Sequence, residues 1–463
     1  MVIKKLKKDK EKELKHKARR LSIKEGIYAS AKASFGDKYL SPFAIAINAS
    51  NSLVAILGAI TGFIGPLGQV FGSKLMNHQS RKKIITKYIL REFLVWFLFI
   101  GIAILFYKEI IPNTLSFLLL IVFILFTVFS SVIHPPLFSW IGDIVDDKFK
   151  GRWLSKRTLI TNFVSIITAI VAAVILDFSK KNGWEMVGFI LLFLITAILR
   201  FVCYKNFKKQ YYPKIKITKK DYFSFKEFIQ SLRKTNFGKF TLYRTSLALA
   251  CSITSPLIAI YLLRTLEFNY ISYMIIILSA TVYTIVILNL WGKIIDKYGS
   301  YKVILITSIL IPTIPFLWTL FPSKIYLILV PSLIGGIAWS GFSIAESKFI
   351  YDNVKKEKRG LAVSYYNLTV GIGVLIGAGI SAILIKYVNT LWIKPIILIF
   401  FIGGFLRMIV VFFGLKNFKE IKKSKKIRRL KDFEKLIIKE MRPTLIEEAH
   451  EIISIKNYLR EKE

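Results

Sequence analysis

Five ionisable side chains lie inside long apolar stretches of this sequence and have the chemistry to carry protons or to bind a charged solute. Lys32, Asp37 and Lys38 cluster in one stretch, His134 lies in a second and Glu346 in a third. A histidine titrates near neutral pH, and an ionisable group at membrane depth is expensive to keep there without a function. These five residues are therefore candidates for ion coupling or for contact with a solute.

Asp37 lies near the middle of the apolar stretch 25–47. On one continuous helix it would be about 15 Å from either end, and Lys38 would point about 100° away from it. Lys32, five positions back, is also poorly placed to neutralise it on one helix face. The spacing therefore predicts that Asp37 faces a wet cavity or a partner on another helix. The alternative is a buried structural ion pair, or a position at the membrane interface.

The other candidates have structural alternatives as well. His134 either relays protons or bonds a carbonyl that the following Pro135-Pro136 leaves free, because proline cannot donate to the helix. Glu346 either contacts a solute or forms an interfacial ion pair near Lys348. Further polar and aromatic side chains either line a cavity or hold helices together. These are Gln69, Asn162, Asn289, Trp339, Ser343, Tyr365, Tyr366 and Asn367.

Composition indicates which elements position these residues. Of 463 residues, 54% are hydrophobic and the mean hydropathy is +0.52, which predicts an all-α polytopic membrane protein because about 20 apolar residues cross a bilayer as a helix. The apolar runs predict twelve spans. These are 25–47, 51–73, 88–107, 115–140, 153–176, 184–204, 241–263, 269–291, 303–321, 325–347, 361–385 and 393–415.

The distribution of basic residues orients these spans. Of 68 Lys and Arg, 58 fall in the two tails and the loops after even-numbered spans, seven fall in the opposite loops, and three lie inside spans, namely Lys32, Lys38 and Arg407. Positive loops stay in the cytoplasm. We therefore expect a cell-membrane protein with both termini cytoplasmic and anionic lipid headgroups, not nucleic acid, beneath it. Arg407 is expected to extend towards the cytoplasm.

The two halves of the chain resemble one another. Ser41-Pro42 in the first span matches Ser255-Pro256 in the seventh, and Gln69-Val70-Phe71-Gly72 closing the second matches Asn289-Leu290-Trp291-Gly292 closing the eighth. The sequence thus predicts two pseudo-symmetric six-helix bundles, a transporter architecture. The predicted domains are a basic tail 1–24, a bundle 25–204, a basic linker 205–240, a second bundle 241–415 and a charged helical tail 416–463.

The segment Gly292-Lys293-Ile294-Ile295-Asp296-Lys297-Tyr298-Gly299 between spans eight and nine is similar to the Gly-x-x-x-Asp-Arg-x-Gly loop of the major facilitator superfamily. The chain resembles that family over residues 25–415. The first-half loop keeps Gly72 but has Met76 in place of the acid. The resemblance implies a secondary transporter or facilitator that moves a small solute by alternating access, with Asp296 latching the fifth span near Gly151–Leu154. The alternative is a solvated turn in which Asp296 pairs with Lys293 or Lys297.

Other function classes find less support. The sequence has no phosphate-binding loop of an ATPase and no cysteine–histidine cluster for a metal, so we expect neither a cofactor nor a metal. A membrane-embedded lipid-modifying enzyme would have to use Asp143, Asp146 and Asp147, and a receptor or lipid scramblase could share the scaffold. Import or efflux, proton coupling and solute identity stay open. We expect a monomer, and the Lys- and Ile-rich composition is typical of a thermophilic prokaryote, archaea included.

Overall fold

A computed structural model describes residues 2–76, 78–110, 112–145, 150–212, 224–355, 358–388 and 394–420. Within these ranges the regular structure is helical and contains no β-strand. Asp146, Asp147, the middle of the basic linker and the charged tail from residue 421 onwards lie outside the described residues, as does the side chain of Asn289.

The first part of the chain forms eight helices because its apolar runs are interrupted by glycine, proline and polar turns. Helix α3 begins after Ser50 and α4 after Ser80, and each of these serines accepts a bond from a backbone N–H of its helix, which is the usual N-terminal cap. The helices are α1 (Val2–Phe35), α2 (Leu40–Ala46), α3 (Asn51–Leu75), α4 (Arg81–Tyr107), α5 (Pro112–Val132), α6 (His134–Ile144), α7 (Lys150–Lys181) and α8 (Glu185–Lys209).

The second part forms ten further helices, several of them halves of one interrupted span. They are α9 (Phe225–Ser231), α10 (Asn236–Ser252), α11 (Leu257–Ile260), α12 (Tyr270–Tyr298), α13 (Ser300–Leu310), α14 (Thr313–Leu320), α15 (Lys324–Leu329), α16 (Pro331–Asn353), α17 (Arg359–Tyr387) and α18 (Pro395–Gly414). The breaks fall near Pro256, Pro312 and Pro331, where the missing N–H interrupts the helical hydrogen bonds.

Eleven helical stretches in the described ranges are long and apolar enough to cross a membrane, against twelve predicted. They run Asn51–Leu75, Arg81–Tyr107, Thr114–Ile141, Arg157–Lys181, Glu185–Lys209, Asn236–Thr265, Tyr270–Leu288, Ser300–Leu320, Lys324–Asn353, Leu361–Tyr387 and Pro395–Asn417. The predicted first span, 25–47, is the one missing because Glu25, Lys32, Asp37 and Lys38 fall within it.

This charged segment is nevertheless part of the helical bundle, and its shape corrects the sequence prediction of one continuous helix. Helix α1 ends at Phe35, residues 37–39 form a 3₁₀ turn, and α2 begins at Leu40. Helix α1 packs along α7 and α8. A Cβ on Gly36, between the helices, would overlap the ring of Trp96 and lie 2.6 Å from Thr196 Cγ2, so only glycine fits at this break.

The count of three basic residues inside the spans is wrong, because the predicted bounds also include Arg91, Lys156, Arg157, Arg200, Arg244 and Lys394. Arg200 lies in α8 and Arg244 in α10, both inside membrane-spanning stretches. Arg407 does not extend to solvent, because only 5% of it is exposed and its guanidinium donates to the carbonyl of Cys251 at 3.2 Å. The sequence count placed Arg200 and Arg244 with the basic linker 205–240, although each lies inside a predicted span, within four residues of its end.

The chain divides by packing into two compact units. Unit 1 contains residues 1–220, 252–274 and 367–391, and unit 2 contains 221–251, 275–366 and 392–463. Each has a core of interlocking aromatic rings, which bury large apolar areas. In unit 1 these include Trp96, Phe99 and Phe193, and in unit 2 Phe240 and Phe349, whose ring centroids are 4.5 Å apart.

Candidate functional site

The break after α1 brings Lys32 and Asp37 together, which the sequence analysis considered unfavourable. Lys32 Nζ lies 2.8 Å from Asp37 Oδ1 and 3.0 Å from Oδ2. On a continuous helix residues five apart do not face each other. The turn over residues 37–39 changes the direction of the chain, so the carboxylate of Asp37 lies beside Lys32 near the end of α1. The prediction that Lys32 is poorly placed is therefore wrong.

Two residues that sequence reasoning missed complete this cluster. Oε1 of Glu92, on α4, lies 2.6 Å from Lys32 Nζ. Arg200, on α8, donates a hydrogen bond to Oε2 of the same carboxylate. The side chains of Lys32, Glu92 and Arg200 are 6%, 0% and 9% exposed, whereas that of Asp37 is 34% exposed. We call Lys32, Asp37, Glu92 and Arg200 the buried charge cluster.

Opposite charges explain why the cluster is stable at this depth. Its two cations and two carboxylates balance, and a buried ion pair holds only where further bonds satisfy its atoms. Lys32 Nζ also lies 4.9 Å from the ring centroid of Phe126 and 5.4 Å from that of Trp96, and both rings attract a cation. Asp37 is the accessible member, and so the one placed to exchange a proton with water or to meet a solute.

Lys38, the next candidate, does not bind Asp37 and instead joins α1 to α7. Its Nζ donates to Ser165 Oγ at 3.0 Å. Ser34 Oγ lies 2.8 Å from the same hydroxyl, and the phenol of Tyr39 donates to the carbonyl of Ala169 at 2.6 Å. This row of polar contacts fixes the end of α1 against α7 and leaves Lys38 half-buried beside the cluster.

His134 is the first residue of α6, at the break that Pro135 and Pro136 produce. Its side chain is exposed. Both roles that the sequence offered, a proton relay and a bond to a freed carbonyl, stay predictions.

Glu346 has a different partner from the one the sequence suggested. Arg244 Nε donates to Glu346 Oε1 at 2.8 Å, and the phenol of Tyr366 donates to the same oxygen. Arg244 Cζ lies 5.9 Å from the ring centroid of Trp339. Lys348, the predicted neighbour, bonds Asp296 instead, at 2.8 Å. Glu346, Tyr366 and Trp339 therefore surround Arg244 in unit 2.

The remaining polar candidates with described side chains include residues on α3, α7 and α17. Tyr365 is buried against the rings of Phe225 and Phe228, at centroid distances of 5.3 Å and 5.7 Å, which is a packing role. Gln69 on α3, Asn162 on α7 and Asn367 on α17 are half-buried. Proximity of these side chains to a solute stays a prediction.

The glycines of the two equivalent loops have different surroundings. A Cβ on Gly72 would overlap the carbonyl oxygen of Val132, so the backbone there approaches its neighbour closely. A Cβ on Gly292 would meet no atom of the described chain within 4 Å, so no close approach requires glycine there. Gly299 has φ +88°, a backbone conformation that favours glycine.

Asp296 is part of α12 and its side chain is 81% exposed. Its Oδ1 accepts Lys348 Nζ, on α16, at 2.8 Å, a contact that neither the latch nor the solvated-turn alternative included; Lys297 Nζ lies 5.6 Å from the ring centroid of Tyr298. A contact of Asp296 with the fifth span stays a prediction.

A carboxylate at a helix N-terminus is formed by Asp177 at the end of α7. Its two oxygens accept the backbone N–H groups of Tyr270 at 2.7 Å and Ile271 at 2.9 Å, at the start of α12. The Tyr270 phenol donates to Glu185 at 2.6 Å. Here the macrodipole favours an anion. Asp177 therefore ties the loop after the fifth span to the loop after the seventh, within unit 1.

Arg264 strengthens the same end of unit 1. Its guanidinium donates to the carbonyls of Ala49 at 2.6 Å and Ile45 at 3.3 Å and to the side chain of Asn51. Ser52 Oγ donates to the carbonyl of Ala382 at 2.9 Å. We call these contacts, with those of Asp177, the clasp. They join first-half helices to segments 252–274 and 367–391 of the second half.

The predicted site of a lipid-modifying enzyme is not available as a free acidic cluster. Asp143 is paired with Arg81, while Asp146 and Asp147 lie outside the described residues. The described chain holds no group of three His, Cys, Asp or Glu residues that could bind a metal ion.

Comparison with known proteins identifies the family. A family model described as Major Facilitator Superfamily matches residues 29–288 and again residues 240–457. No curated protein sequence shows significant similarity to the chain.

Solved transporters share the fold. A bacterial homologue of the iron transporter ferroportin in the inward-facing state aligns with a TM-score of 0.67 at 14% identity, over 87% of this chain and 98% of the other. An auto-inhibited POT family peptide transporter gives 0.66 at 12% identity, over 89% and 99%. The nucleoside transporter NupG gives 0.63 at 14% identity, over 88% and 99%. The chain, with its two repeated halves, belongs to the major facilitator superfamily and is a membrane transporter of solutes, not an enzyme.

Proposed function

We propose that the protein is a secondary transporter that moves a small solute by alternating access and couples this movement to protons at Asp37. The observation that carries the proposal is the buried charge cluster, in which three members are almost fully buried and Asp37 alone is partly exposed, at 34% of its side chain. A group that exchanges protons must reach water, whereas the groups that tune it are best kept away from water.

The contacts of Lys32 supply the coupling step. Lys32 Nζ is shared by Asp37 and Glu92. A proton on Asp37 removes the charge of one carboxylate, so the ammonium is held by Glu92 alone and the turn over residues 37–39 loses its tie to α1. Protonation thereby alters the end of the first span, which packs on α7 through Lys38 and Tyr39.

The clasp is the element that alternating access has to open. Asp177, Arg264 and Ser52 join first-half helices to second-half segments at the loops after odd-numbered spans. We place this end away from the cytoplasm, with both termini cytoplasmic, the protein monomeric in the cell membrane and its basic loops against anionic headgroups. Transport requires that these contacts break and reform once per cycle.

A transport assay in proteoliposomes tests the coupling. A thermal-shift panel of sugars, amino acids, nucleosides, organic anions and cationic drugs first identifies a stabilising solute, because binding raises apparent stability. With this solute, Asp37→Asn abolishes uptake driven by a pH gradient while solute exchange continues. The exposed Glu109→Gln is the matched control and transports as the native protein does. An unchanged pH dependence in Asp37→Asn would rule out coupling at this residue.

A crosslink across the clasp tests alternating access. Cysteines replacing Ser52 and Ala382, joined by a bifunctional thiol reagent, stop solute flux, and the unlinked double variant transports. Native Cys203 and Cys251 are first replaced by alanine so that the reagent reacts only at the clasp. Full flux through the crosslinked protein contradicts the proposal.

A further inference from the structure

The charges around Asp37 do not balance once Lys38 is included. Lys32, Lys38 and Arg200 are cations, and Asp37 and Glu92 are the carboxylates. Both carboxylates bond Lys32 or Arg200, while the contact of Lys38 is a neutral hydroxyl, that of Ser165. The five groups together carry one excess positive charge.

An excess cation at this depth is unfavourable because a hydroxyl cannot replace the water that solvates an ammonium. An uncharged residue at position 38 of the 3₁₀ turn would avoid this cost, since the neighbouring Tyr39 already ties the turn to α7. Lys38 is half-buried and adjoins the accessible Asp37. An anion bound at this position would contact both the Lys38 ammonium, which has no carboxylate partner in the described chain, and the Ser165 hydroxyl.

We propose that Lys38 and Ser165 bind the carboxylate of a small monoanionic solute, which is carried together with the proton on Asp37. One excess charge matches one carboxylate, whereas a phosphate monoester would bring a charge of about −1.5 to −2 and leave the site negative. The assignment rests on the proposed function, because it names the solute of the same site.

The charged groups that contact Asp37, directly or through one another, come from three helices. Lys32 on α1 contacts Asp37 itself, Glu92 on α4 contacts Lys32, and Arg200 on α8 contacts Glu92. With the solute bound and Asp37 ionised, the cluster with Lys38 is neutral. A proton on Asp37 restores the original charge, so solute and proton together leave the charge of the protein unchanged.

A stability measurement without any solute tests whether Lys38 is an uncompensated cation. Lys38→Met raises the apparent melting temperature of the ligand-free protein in detergent, since it removes a charge that lacks a carboxylate. Lys32→Met is the matched control and lowers the temperature, since it leaves two carboxylates without their shared ammonium. If Lys38 only holds α1 on α7 through Ser165, Lys38→Met lowers the melting temperature too, and the proposal is overturned.

A binding measurement tests the solute class. Acetate, propionate, butyrate, lactate and benzoate are each compared with the corresponding neutral amide by thermal shift. At least one carboxylate stabilises the native protein while its amide does not, and Lys38→Met weakens that binding about 30-fold or more, the loss expected when one partner of a desolvated charge pair is removed. Equal stabilisation by acids and amides, or by acids in Lys38→Met, refutes the assignment.

Asp37→Asn separates this inference from the proposed coupling. If carboxylates fail to bind while Asp37→Asn still abolishes gradient-driven uptake of another solute, the coupling stands and the assignment of the solute is wrong. If carboxylates bind at Lys38 but their uptake does not depend on Asp37, the site stands and the coupling is wrong.

Discussion

The two halves of the chain treat their buried charges differently. In the first half, Lys32, Asp37, Glu92 and Arg200 share bonds across three helices. In the second half, Arg244 and Glu346 form a single pair closed by Tyr366, and both charged side chains are 18% exposed. A pair in which each charge has one counter-charge holds helices together. A network with one accessible carboxylate can also change its charge.

Arg200 and Arg407 show the same contrast. Arg407 follows Arg200 by 207 residues, so the two occupy corresponding last helices of the halves. Arg200 bonds the carboxylate of Glu92, whereas the guanidinium of Arg407 donates to the backbone carbonyl of Cys251. Corresponding helices thus each carry an arginine, which meets a carboxylate in the first half and a backbone carbonyl in the second.

The largest expected effect comes from breaking the network at its centre. Glu92→Gln leaves Lys32 and Arg200 buried without a carboxylate between them and lowers the free energy of unfolding by about 3–5 kcal/mol. Glu346→Gln lowers it less, because its partner Arg244 remains partly solvated. Chemical unfolding of both variants in one detergent compares them. Equal losses would mean that the two halves do not differ in the way proposed.

A smaller effect separates the two loop glycines. Gly72→Ala forces a methyl group against the Val132 carbonyl and destabilises by about 1–3 kcal/mol. Gly292→Ala meets open space and stabilises by up to about 1 kcal/mol, because alanine favours a helix more than glycine does. Melting temperatures of the two variants should therefore move in opposite directions. A shift of the same sign contradicts the packing described at one of the two positions.

The smallest expected effects compare the two aspartates at helix ends. Asp177→Ala removes the cap of α12 and costs about 0.5–2 kcal/mol. Asp296→Ala removes an exposed pair with Lys348 and costs about 0–1 kcal/mol. Raising the salt concentration weakens the contribution of Asp296 more than that of Asp177, because Asp177 is 5% exposed. A stability series at low and high salt measures both.

Several parts of the fold could be predicted because they follow from local sequence. Eleven of the twelve predicted spans were recovered, as long apolar runs can hardly form anything else in a bilayer. The break at His134 was expected from the prolines that follow it. The kink at Gly36 was not, because a glycine in an apolar run is compatible with a continuous helix. That one break explains why Lys32 reaches Asp37 when the helical spacing argued against it.

The candidate site was predicted only in part. Asp37, Lys32 and Lys38 were recognised because charges within an apolar run are conspicuous. Glu92 and Arg200 were missed because each lies within one or two helical turns of basic flanking residues, where a charge looks interfacial. The signal that could have found them is their opposite sign within two neighbouring spans, which suggests a pair.

The sequence by itself determined the spans, the twofold repeat and the family. Helices that cross the hydrocarbon core must consist of apolar runs, and the repeated residues can be compared directly along the chain. Only the tertiary structure decided which charges meet. Glu92 and Arg200 are 108 residues apart, and their contact depends on the rotation and depth of two helices, which a linear pattern does not encode. For the same reason the sequence did not reveal the cap at Asp177, where the packing of α7 brings an aspartate to the start of α12.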